Sequence, residues 1–358
     1  MFRLIAAALF LVLSSAYAGE ILTIAGSEGQ GFAGDGGPAA KAQFHEVNGL
    51  VRGPDHALYV CDAKNQRIRR IAPDGTVSTF AGNGMAGFAG DGGPATKASL
   101  NEPYEVRFDA AGNCYTVERL NHCVRRIDGK TGMISTVAGV GGKEGFGGDG
   151  GPATAALLSE PHSIIFDRAG DLYICDIKNH RIRKVTMKTG VITTFAGTGE
   201  RKPTPDGAKI SSAPLNGPRA LDVDADGNLW VALREGNAIY KIDLRAGTLH
   251  HMAGIGGKPG FAGNGGPAKE AVLGGPKGIS VGPDGMVYFA DTESNSIRYI
   301  DTRKGTLELL AGTGVKGNGP DGDPLKCQLA RPHGIFVDTD GAVYIGDTDN
   351  DRVRAIRR

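Results

Sequence analysis

A five-residue motif returns six times in this chain: Leu58-Tyr59-Val60-Cys61-Asp62, Cys114-Tyr115-Thr116-Val117-Glu118, Leu172-Tyr173-Ile174-Cys175-Asp176, Leu229-Trp230-Val231-Ala232-Leu233, Val287-Tyr288-Phe289-Ala290-Asp291 and Val343-Tyr344-Ile345-Gly346-Asp347. The last positions of successive copies lie 56, 58, 57, 58 and 56 residues apart. Spacing so regular over 285 residues describes one supersecondary unit used six times and rules out two unrelated domains.

Four short strand signals fill each unit. In the third, Pro161 opens a first strand running to Asp167, and a turn at Gly170 leads to a second at Leu172–Cys175. A turn around Lys178-Asn179 leads to Arg181–Val185, and Val191–Phe195 ends the unit in Ala196-Gly197. Glycine supplies 57 of the 358 residues, about twice the usual share, and its clustering at turns excludes both a helical domain and collagen. The expected architecture is all-β, a six-bladed β-propeller of four-stranded antiparallel blades. The sixth unit stops at Arg358 one strand short, while Ile21–Gly26 carries the pattern of the missing strand, as in Val77–Gly82. The last blade is therefore expected to be closed by the N-terminal strand, which hides edges that would otherwise pair with another chain.

Residues 1–18 read as a cleavable export signal: Arg3, the apolar run Leu4–Leu13, and small residues at Ala16 and Ala18. Such a segment is removed from the mature protein, so the propeller is expected over 19–358 and the location is expected to be secreted or periplasmic. No segment approaches the roughly 20 apolar residues of a membrane span. Loss of Arg3 would balance the 40 Lys and Arg against the 39 Asp and Glu, and a neutral exported chain lacks the basic footprint of a nucleic-acid binder. A protein, peptide or carbohydrate ligand and a monomeric state are the expectations that remain. Five cysteines, at 61, 114, 123, 175 and 327, leave at least one thiol outside any intramolecular disulfide. Cys61 and Cys175 stand where a small apolar residue would serve, which favours buried packing.

The succession of an apolar residue, Pro, a buried strand, Asp-x-x-Gly, Leu-Tyr-Val-x-Asp and Asn-x-Arg-Ile is clearest over Leu158–Val185 and Leu329–Ile356. It resembles the NHL repeat and covers essentially the whole chain after residue 18. The resemblance implies a six-bladed propeller; activities in the family range from protein and RNA binding to metal-dependent lyase chemistry, so the fold does not settle the function.

Two recurring elements converge on one face, because adjacent strands alternate direction. One is the loop Gly31–Ala39, repeated at Gly87–Ala95, Gly145–Ala153 and Gly260–Ala268 and lost around Asp206 and Asp321. Its Gly and Asp suit tight turns, and fourfold repetition marks a packing solution ahead of a Ca²⁺ or sugar site. The other is the Asp-x-x-Asn turn, at Asp62/Asn65, Asp176/Asn179 and Asp347/Asn350, with variants Glu118/Asn121 and Asp291/Ser294. Arg67, Arg181 and Arg352 follow the Asn by two residues, where a carboxylate–guanidinium pair is geometrically reasonable. Arg69, Arg70, Arg125, Arg126, Arg183, Lys184 and Arg354 extend the same strands and are expected on a solvated blade surface.

The position that opens each innermost strand varies while its surroundings repeat: Asn48, Tyr104, His162, Arg219, Lys277 and His333. Variation on a constant scaffold is how a propeller builds a site, and two His, a Tyr and two cations could bind an anionic ligand or serve acid–base chemistry. His162 and His333 belong to opposite blades. Their Pro-His-Ser and Pro-His-Gly contexts resemble those of zinc-ligating histidines in the peptidyl-hydroxyglycine α-amidating lyases, which implies a divalent metal (Zn or Ca) in the channel. A catalytic zinc usually takes three protein ligands; His45 lies outside the ring, and His250 and His251 fall on an outermost strand. Asp222-Val223-Asp224-Ala225-Asp226-Gly227-Asn228 opens like an EF-hand loop, but Leu233 stands where the twelfth-position Glu belongs. The leading reading is a propeller that binds its ligand at the channel mouth. The alternative is a metal-dependent lyase or hydrolase using His162, His333, Tyr104 and Arg219, an activity class that streptogramin-inactivating lyases and lactonases also mount on propellers. Metal content discriminates the two.

Overall fold

The computed structural model describes residues 19–26 and 29–357, and the expected export signal lies outside them. Six four-stranded antiparallel sheets follow one another along the chain. Each repeated motif is the second strand of its blade, at Leu58–Asp62, Cys114–Glu118, Leu172–Asp176, Leu229–Leu233, Val287–Asp291 and Val343–Asp347, and all thirty of these residues are buried. Alternation gives one apolar face to each neighbouring blade, so the cores lie between blades. Ile165, Tyr173 and Cys175 of blade 3, for example, pack against Leu221, Val231 and Leu233 of blade 4. The five cysteines are buried and unpaired, as the packing reading of Cys61 and Cys175 anticipates.

The ring closes as expected. Ile21–Ala25 pairs antiparallel with Arg352–Ile356 as the fourth strand of the sheet begun by Ile335–Val337. Asp321 clamps this strand by accepting from the Thr23 amide at 2.9 Å and from its hydroxyl at 2.9 Å.

The basic third strands depart from expectation. Arg69, Arg125, Arg183, Arg298 and Arg354 have no exposed surface, whereas the residues that follow the first three, Arg70, Arg126 and Lys184, do reach partly exposed carboxylates. Each of the first three buried guanidiniums bridges two acids. Arg183, typical of them, lies 3.3 Å from the buried Asp176 and 2.6 Å from Asp149 of the recurring loop. Asn179 and the Ser159 amide complete the shell of Asp176. The loop carboxylates Asp35, Asp91, Asp149 and Asp321 thus fasten the loop to the blade, and desolvating an arginine is tolerated because its donors are matched by fixed acceptors. Arg352 pairs with Asp347 at 2.8 Å as expected. Arg67 and Arg181 do not bridge to the turn carboxylate; they donate to main-chain carbonyls and lie over the rings of Phe32 and Phe146.

Candidate functional site

The channel mouth is assembled from one backbone device used six times. The residue two positions before each of the six variable positions is left-handed: Glu46, Glu102, Glu160, Gly217, Gly275 and Arg331, with φ between 44° and 70°. Its N–H donates to the side chain of a second left-handed residue in the preceding blade, respectively Asp351, Gln66, His122, His180, Asn237 and Asn295, at 2.7–3.1 Å. Glycine accepts a positive φ freely, whereas other residues do so at some cost. Four blades nevertheless place a charged residue there, and Glu46, Glu102, Glu160 and Arg331 all line the mouth.

Below this rim the six variable positions form a floor that is buried except at His333, which is partly exposed. Asn48, His162, Lys277, Tyr104 and Arg219 are 2%, 4%, 5%, 8% and 8% exposed, so these side chains are packed among the blades with little surface in the channel. The blades come close because Gly49, Gly278 and Gly334 follow three of these positions. A Cβ on them would sit 2.7, 2.3 and 2.0 Å from the main-chain oxygens of Tyr104, His333 and Asn48.

Five of the six side chains connect. His333 Nδ1 is 2.8 Å from Asn48 Oδ1 and 2.9 Å from the Tyr104 hydroxyl, while its Nε2 is 3.0 Å from Lys277 Nζ. Arg219 donates to the same hydroxyl and lies over the Tyr104 ring, 4.7 Å from its centroid. His162 stands beside that ring and is held through Nδ1 by the Glu160 carbonyl at 2.6 Å. Burial, reinforced by Arg219 and other nearby cations, holds the pKa values of both histidines well below their usual range; they are neutral at pH 7.

Charge is unevenly compensated. On the rim Arg119 pairs with Glu102 and Glu160, Arg234 with Glu235, and Arg331 with Glu293. Lys277 reaches Glu293 at 3.1 Å, yet burial, with Arg219 adding repulsion, brings its pKa down to about 7. Arg219 has no carboxylate within ion-pair distance among the described residues, and its Nε has no hydrogen-bond partner. Above it opens a cleft of about 530 Å³.

As placed, the histidines suit a divalent ion poorly. Both nitrogens of His333 are engaged, two cations adjoin the pair, and among the described residues no three His, Cys, Asp or Glu side chains gather where an ion could be held. His45, His250 and His251 stay outside the ring, the last two on the outermost strand of blade 4. The EF-hand-like segment ends a strand and forms a hairpin turn, with Asp224 receiving Asn228 and the Trp230 indole.

By fold the chain is a six-bladed β-propeller, and its repeat is similar to the NHL repeat. No protein-family model matches it. It is similar to NHL repeat-containing protein 2 of Bos taurus, at 25% identity over 84% of this chain and 44% of that one. It is also similar to SUPPRESSOR OF QUENCHING 1, chloroplastic, of Arabidopsis thaliana, at 28% identity over 72% and 25%, and to human Teneurin-4, at 27% over 86% and 12%. The chain thus spans less than half the length of these relatives. Among solved structures, an auxiliary nutrient binding protein from Bacteroides thetaiotaomicron superposes with a TM-score of 0.69 at 17% identity, covering 95% of this chain and 76% of that one. A streptogramin B lyase superposes with 0.56 at 16% identity, covering 96% and 99%. At such identities these structures share the fold.

Proposed function

We propose that the chain is an exported binding propeller whose channel mouth holds the acidic group of a peptide, protein or carbohydrate ligand. The observation that carries this reading is Arg219, a buried guanidinium without a carboxylate, aimed into a cleft of ligand size with Lys277, whose pKa is brought down to about 7, packed close by. An anion there would gain charge-assisted hydrogen bonds from Arg219 and would draw a proton onto Lys277. The nutrient-binding propeller of like fold is compatible with this reading. The second reading, a lyase or hydrolase, is favoured by one contact: the Tyr104 hydroxyl lies between Arg219 and His333, an arrangement able to pass a proton.

Calorimetric titration with mono- and dicarboxylates, uronic acids and inorganic phosphate tests the proposal. At least one acid should bind saturably at pH 6, and Arg219→Met should weaken it at least tenfold without lowering the melting temperature. Lys277 of the free protein deprotonates near 7, so affinity should fall as pH rises from about 6 to about 8.5, because only the protonated amine attracts the anion. Binding that is indifferent to Arg219→Met would remove the proposal. For export, mass spectrometry of the protein recovered from an expressing cell's exterior should show an N-terminus at Gly19; an intact Met1 on that material would contradict cleavage.

A further inference from the structure

Blade 4 departs from its siblings in one coordinated way. Where blade 1 has Asp62, Asn65, Arg67 and Arg69, blade 4 has Leu233, Gly236, Ala238 and Tyr240, an equivalence fixed by the pairing of Arg69 with Thr79 and of Tyr240 with His251. The loop ring Phe32 is likewise replaced by Pro203. The backbone does not suffer. The Tyr240 hydroxyl donates to Thr204 O and the Thr204 hydroxyl to Pro214 O, the counterparts of the two carbonyls, of Ala33 and Gln43, that Arg69 satisfies in blade 1.

What is left open is the place of Arg67. In blade 1 that guanidinium lies 3.7 Å from the Phe32 centroid and donates to Asn65 O and Asn83 O, both at 2.9 Å. Arg181 repeats the arrangement in blade 3, donating to Asn179 O and Thr198 O at 2.8 and 2.7 Å. In blade 4 the corresponding carbonyls belong to Gly236 and Ile255, and between them, with Ala238 in place of the arginine, is a cleft of about 280 Å³. A cavity of about 150 Å³ suffices for a benzene ring, so this one has room for a guanidinium and its methylene stem. Gly236 O already accepts from the Gly257 amide, which leaves a second lone pair. Leu233, Pro203 and the Tyr240 ring supply apolar and aromatic walls, and the Asp206 carboxylate stands at the edge, engaged by the His251 amide and by Lys269.

We propose that the blade-4 cleft binds a guanidinium supplied from outside the chain, free or on an arginine side chain, in the position that the protein's own arginine fills in blades 1 and 3. The site is separate from the channel mouth and does not depend on its reading. The test is calorimetric titration of the whole chain with N-acetyl-arginine amide, its neutral citrulline counterpart and the capped tripeptide Ala-Arg-Ala. Both arginine probes should saturate, with the citrulline analogue at least tenfold weaker. A tighter tripeptide would identify a peptide as the source, and equal affinities a free guanidinium compound. Ala238→Arg, which refills the cleft as Arg67 does, should abolish binding, while Arg219→Met should leave it intact. Should Ala238→Arg not fold, Asp206→Asn must still weaken the arginine probes at least threefold. Absence of saturable binding, equal binding of citrulline, or full binding by folded Ala238→Arg would overturn the proposal.

Discussion

Deleting Gly19–Gly26 is expected to give a protein that aggregates or melts far below wild type. The deleted strand supplies a main-chain ladder to Arg352–Ile356 and the fully buried Ile21 and Ala25. Burying an isoleucine is worth about 1.5–3 kcal/mol and each ladder bond about 1 kcal/mol net. The loss approaches the roughly 5–15 kcal/mol that holds a whole domain together. It also uncovers the edge of Arg352–Ile356 and strips Asp321 of its Thr23 partners, leaving a template for a second chain. Differential scanning calorimetry with light scattering reads both effects, and unchanged unfolding of the deletion variant would defeat the closure account.

Removing one buried arginine should have an effect of similar size. Arg183→Ala is expected to cost about 3–5 kcal/mol, because the buried Asp176 is left as a desolvated carboxylate without its cation. Blade 4 shows how the chain itself dispenses with the pair, using Leu233 and Tyr240. The double variant Asp176→Leu, Arg183→Tyr should therefore be more stable than Arg183→Tyr alone, a coupling that denaturant titration of the four-member cycle would measure. A cycle without coupling would mean that the two side chains do not share an energetic unit.

The architecture was legible because a propeller writes itself as a period: the six Leu-Tyr-Val-x-Asp copies mark the six second strands, and Ile21–Gly26 reads as the strand that Arg358 stops short of. The six floor residues were legible for the opposite reason, since they vary at a fixed repeat position while the framework around them repeats. The buried arginines were not, because a long cation in a strand ordinarily belongs to the surface. A usable signal was nonetheless present. Arg69, Arg125, Arg183, Arg298 and Arg354 accompany an acidic residue seven positions earlier, and in blade 4 the acid, the Asn and the Arg disappear together. The left-handed clasp had no such signal, because Gln66, His122, His180, Asn237, Asn295 and Asp351 share only an acceptor atom at the right reach. Nor did the sequence disclose that the floor is buried, which follows from how closely Gly49, Gly278 and Gly334 let the blades approach.

The most direct test of the channel mouth is anomalous diffraction from crystals equilibrated separately with selenate and with Zn²⁺. The account predicts a selenate peak within hydrogen-bond distance of Arg219 and Lys277, absent in Arg219→Met, and no zinc peak between His162 and His333. Zinc bound to both histidines, with selenate confined to the outer surface, would contradict it and restore the metal-dependent reading.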